Sequence, residues 1–114
     1  MSDVIAALRA VEADLFARMR RKDFSDDSYK AHVALIDRAV MLDHDLACVA
    51  EISQCRLRAA LYLERGIEES EAALQRVLYI IPPHHPLYDT SIRMATRLHP
   101  ELAARYAPTP LRDD

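Results

Sequence analysis

Glycine is nearly missing from this sequence: its 114 residues include a single Gly, Gly66, and neither Trp nor Asn occurs at all. Tight hairpins between strands draw on Asn-Gly, Asp-Gly or Gly-Gly pairs, because those residues accept positive φ without strain. A chain without such pairs is poorly equipped for a β-rich fold, and a Gly-rich loop that cradles phosphate is excluded. Positive charge is not in surplus either. Lys and Arg number 15 against 18 Asp and Glu, for a net charge of −3 and a pI of about 5.9. The densest basic cluster, Arg18, Arg20, Arg21 and Lys22, falls at the end of an expected helix, where cations complement the helix dipole. No nucleic-acid partner is expected from it, since such binding shows as a concentrated basic face. Long apolar runs are also lacking, so no membrane insertion is expected. The start, MSDVIAALRAVEADLF, is acidic and amphipathic and does not read as an export signal. Cysteine is limited to Cys48 and Cys55. Seven residues apart on one helix, they lie ~10 Å apart along its axis, too far to bridge each other. Two buried, reduced thiols on one helix face are the expectation, and with it a cytoplasmic, reducing location.

What the sequence does hold is Ala, Leu, Arg and Glu, all good helix formers, in a chain that is 51% hydrophobic and 29% charged. The expected fold class is all-α: five main helices plus a short C-terminal helix. Residues 1–106 would form a single helical domain and residues 107–114 a flexible tail. Helix one runs from Asp3 to about Lys22 behind a Ser2 cap, with Val4, Leu8, Val11, Leu15 and Met19 in one stripe that Ile5 and Phe16 widen. Ser25 or Asp26 caps helix two, which reaches about Leu42 on a stripe of Tyr29, Val33, Ile36 and Val40, supported by Ala39. Helix three, from about Leu46 to Arg65, gathers Glu51, Gln54, Arg58 and Arg65 on one narrow face and is apolar elsewhere. It therefore reads as the central helix. Gly66 is expected to end it as a left-handed cap. Helix four opens on Glu68, Glu69 and Glu71, buries Leu74, Val77, Leu78 and Ile81, and stops at Pro82-Pro83. Pro86 opens helix five, with Leu87, Ile92, Ala95 and Leu98 inward. A short helix over Glu101 to Tyr106 follows Pro100.

Within this pattern, the stretch from Arg56 to Pro83, RLRAALYLERGIEESEAALQRVLYIIPP, resembles one tetratricopeptide-type helical hairpin, with Gly66 at the turn, Glu71-Ala72 opening the second helix, Leu78 on its inner face and Pro83 at its end. The preceding YKAHVALIDRAVMLDHD, Tyr29 to Asp45, resembles the second helix of an earlier repeat. His44 and Pro83 stand 39 apart against a usual period of about 34, and the bulky aromatic and Leu-Gly pair of the first helix is missing. Two architectures follow: a tetratricopeptide-like helical-hairpin stack, or an irregular helical bundle.

The histidines are His32, His44, His84, His85 and His99. None stands beside a Ser or Cys in a recognisable nucleophile arrangement, so no enzyme and no catalytic residue is expected. His84, His85 and Asp89, with Asp43-His44-Asp45, offer metal-binding side chains but no spacing known for zinc. No metal and no cofactor are assigned, and a metal-linked sensor at the His84-His85 loop is the weakest reading. Tyrosine suits protein interfaces, joining apolar area to a polar tip. The candidate partner-binding residues are thus Leu8, Leu15, Phe16, Tyr62, Tyr79 and Tyr88. The leading expectation is a non-enzymatic adaptor or chaperone-like protein that takes a partner polypeptide, or a second copy of itself, in an apolar helical groove. In size, acidity and helix content the chain is similar to small tetratricopeptide-like chaperones of bacterial secretion systems. The alternative is a helical accessory subunit that stabilises a larger enzyme complex.

Overall fold

The structure is a computed structural model. It describes residues 3–41 and 46–106, with side chains from 5–41 and 49–106. Among these the secondary structure is helical throughout: α1 (Asp3–Arg20), α2 (Asp26–Val40), α3 (Leu46–Tyr62), α4 (Ile67–Ile80), α5 (Pro86–Leu98) and a 3-10 turn, Pro100–Ala104. Among the described residues no helix is long and apolar enough to cross a membrane. Ser2, the Asp43-His44-Asp45 break, the Cys48 side chain and the tail lie outside what is described.

Two of the expected start signals, Ser25 and Pro86, act where they were placed. Ser25 caps α2: its hydroxyl accepts the N–H of Ser28 at 3.1 Å, and Asp26 and Asp27 supply the acidic first turn. His85 caps α5, its Nδ1 accepting the N–H of Leu87 at 3.1 Å, with Pro86 in the first turn. That bond accounts for the imidazole that offered itself as a metal ligand. Among the described residues no three His, Cys, Asp or Glu side chains gather around one point.

The end of α3 differs from expectation. Its left-handed residue is Glu64, at φ 55°, and not Gly66. The N–H of Arg65 reaches back to the carbonyl of Ala60 at 3.0 Å and that of Glu64 to Leu61 at 3.4 Å, a Schellman motif with glutamate in the glycine position. Helix α1 ends the same way: Lys22 has φ 54°, and Asp23 and Lys22 donate to Arg18 and Met19, both at 3.0 Å. Gly66 instead precedes α4, at φ 94° and ψ 168°. No atom would touch a Cβ built there, so only its backbone conformation excludes other residues. Glu64→Gly is therefore expected to stabilise the protein by about 1 kcal/mol, and Gly66→Ala to cost about as much. Chemical denaturation of both variants checks the pair of signs.

Helix α3 packs against α1, α2, α4 and α5, as its broad apolar surface requires. Two clusters form around it. One joins Leu57 and Leu61 to Leu74, Val77, Ile81, Ile92, Ala95 and Leu102. The other joins Ile52 and Ala59 to Val11, Ile36 and Ala39. Not all of its polar face is wet, however. Gln54 is buried and donates to Ser91 Oγ at 3.4 Å, while Arg65 pairs with Asp26 at 2.9 Å and stacks 5.1 Å above the Tyr29 ring. The odd-numbered helices touch one another in turn, α1 on α3 and α3 on α5, and α2 and α4 fill the connections between them. The radius of gyration is 14.3 Å, slightly above the ~13 Å of a compact chain this long.

Candidate functional site

Helices α1 and α3, with Met94 of α5 and His32 of α2, line a cavity of about 660 Å³, within the size range of small-ligand sites. Helix α1 supplies one wall: Leu8, Val11, Leu15 and Met19, with the more exposed Ile5 and Phe16 beside them. Cys55, Arg58 and Tyr62 come from α3, Met94 from α5 and His32 from α2. The periodicity of α1 explains the division of labour. Val11 and Leu15 are almost fully buried and close the core, whereas Ile5 and Phe16, on the flank of the same stripe, remain 45% and 48% exposed.

Four of the six sequence-predicted partner-binding residues, Leu8, Leu15, Phe16 and Tyr62, share this cavity. Tyr79 stands apart on the outer side of α4, 91% exposed. Tyr88 is half-buried and packs on the α3–α4–α5 cluster. Four charged groups line the same cavity: Arg9 and Glu12 from α1, Glu51 and Arg58 from α3. Two cations against two anions leave it without net charge.

Cys55 lines the cavity as a half-buried free thiol. Burial pushes its pKa up to about 11, with Glu51 and Glu12 adding to the effect of burial and Arg58 opposing it. At neutral pH it is therefore held as the neutral thiol, the less reactive form.

The sequence did not mark His32 as a site residue. The imidazole is completely buried, and its Nδ1 lies 2.8 Å from Asp14 Oδ2. The same carboxylate accepts from Arg18 Nε at 2.7 Å and Nη2 at 3.3 Å, while Arg18 Nη1 donates to Ser28 Oγ at 2.9 Å. Burial raises the pKa of Asp14, but the hydrogen bonds from Arg18 and His32 outweigh it and hold the carboxyl below its ordinary value. A carboxylate only accepts, so the Nδ1 of His32 carries the proton. Its other nitrogen, Nε2, is shut off from water and has no hydrogen-bond partner. An acid orienting an imidazole is half of a nucleophilic triad, but the hydroxyl or thiol that would complete it is not bonded to Nε2.

The buried positions of α2 are Ser28, His32, Ile36 and Ala39: Ile36 and Ala39 are as expected, the expected Tyr29, Val33 and Val40 are half-buried, and Ser28 and His32 are the unexpected members. Two of the four are polar, and hydrophobic periodicity is blind to them. The available signal was a pair of polar residues spaced four apart in register with Ile36. No known protein family, curated protein or solved structure matches this chain.

Proposed function

We propose that this chain is a non-enzymatic adaptor of the chaperone type, holding an apolar segment of a partner polypeptide in the cavity between α1, α3 and α5. The observation that carries this reading is the exposure of Phe16 and Ile5 on a cavity that they line together with Leu8, Val11 and Leu15. Large apolar side chains around a concave site mark binding surfaces more often than chance. The succession α1–α3–α5 supports it further, since helical-hairpin stacks present their binding surface along one set of alternate helices. A neutral Cys55 and an imidazole without a nucleophile at Nε2 favour binding over catalysis.

Phe16 is the position to test. Leu8 also packs against the α1–α2–α3 cluster, so replacing it confuses binding with folding. Phe16→Glu is expected to change stability by no more than about 0.5 kcal/mol while abolishing capture of the partner polypeptide from host extract. Thermal denaturation and mass spectrometry of the captured proteins provide the two readouts. Capture of the same polypeptides by both forms, or of none by the wild type, sinks the proposal.

A further inference from the structure

We infer that the groove recognises a tryptophan side chain of its partner, whose indole N–H is taken by His32 Nε2. This rests on the groove reading above and deepens it from any apolar segment to one with a defined anchor. His32 lines the cavity, and the Asp14 carboxylate fixes the proton on Nδ1. Arg18 already balances the charge of Asp14, so with a neutral imidazole the cluster carries no net charge. Nε2 is then an acceptor only. A buried acceptor left unpaired is a standing cost to the free protein, and an occupant that brings a donor removes it.

The surroundings restrict which donor fits. Net-neutral charge around the cavity gives no attraction to offset the desolvation of a Lys or Arg. Ser, Thr, Tyr, Asn and Gln carry donors, but each also brings acceptor lone pairs and less apolar surface than indole to a cavity lined by Leu8, Val11, Leu15 and Phe16. Indole is apolar over its body and donates once without accepting, the complement of Nε2. Nε2 is closed to water in the free chain, so lining side chains must part before the donor arrives. Met19 and Met94 are on the lining, and thioether chains repack easily. The sequence contains no Trp, so a second copy of it does not supply the anchor.

The same absence makes the test direct, because any tryptophan fluorescence belongs to the ligand. The probe is a synthetic amphipathic helix of Leu, Ala, Lys and Glu with one central Trp, compared with otherwise identical peptides carrying 1-methyltryptophan or Phe. Affinities come from calorimetry, and the state of His32 from its side-chain ¹⁵N shifts in the wild-type protein, so no variant has to fold. The expected result is binding of the Trp peptide about tenfold or more tighter than of the methylated one, ~1.4 kcal/mol, with Nε2 shifting only for the free indole N–H. Equal affinity of all three peptides, or an unmoved Nε2 resonance, overturns the indole assignment and leaves the groove reading intact. Failure of every peptide to bind overturns both.

Discussion

Asp14→Ala is expected to destabilise the protein by about 3 kcal/mol, a large part of the 5–15 kcal/mol typical of a domain. The carboxylate is the shared acceptor of Arg18 and His32. Without it, a completely buried imidazole has no partner at either nitrogen, and the Arg18 guanidinium loses the charge that balances it. Double-mutant cycles with His32→Leu should show strong coupling, since the second substitution removes the group that the first leaves unpaired. The pH dependence has a definite sign. Asp14 has a folded-state pKa below its ordinary 3.8, so its contribution is fully present above that value and is lost as pH falls through the lowered one. The gap between wild type and Asp14→Ala in urea denaturation should therefore be constant near neutrality and narrow in acid. A gap that persists unchanged under acid conditions would contradict the assignment.

Leu57→Ala should cost about 3 kcal/mol for a different reason. Leu57 has no exposed surface and lies in the cluster formed by α3 with α4 and α5. Truncation leaves a void that rigid helices on several sides close only in part. On a chain of this size, the melting temperature should fall by about 10 °C or more. Tyr79→Ala is the control: it removes a larger side chain that is 91% exposed, and a shift comparable to that of Leu57→Ala would mean that α4 packs in some other way.

The helices were legible because their signals are local. Ser25, Pro82-Pro83 and Pro86 fix boundaries through one side-chain oxygen or one missing N–H, and apolar residues three and four apart fix the buried face. His32 was illegible because its burial depends on Asp14, eighteen residues away on another helix, and no periodicity of α2 reports that partner. Glu64 was missed for the opposite reason. A local rule, that glycine ends helices, favoured Gly66, yet the backbone had already turned left-handed two residues earlier. Half of the groove was visible as the surplus apolar flank of α1, Phe16 with Leu8 and Leu15. Its other wall, Cys55, Arg58 and Met94, needs the relative placement of three helices. Tyr79 and Tyr88 were grouped with it on residue type alone, which carries no information about direction.

Every substantial helix–helix contact joins elements that are next to each other in the chain or separated by one other helix. Little loop entropy is therefore lost before each new contact is made, and folding can begin at any adjacent pair and spread along the chain. Such topology predicts collapse and assembly in the microsecond to millisecond range, with α3 holding the slowest-exchanging amides because both clusters must open before it is released.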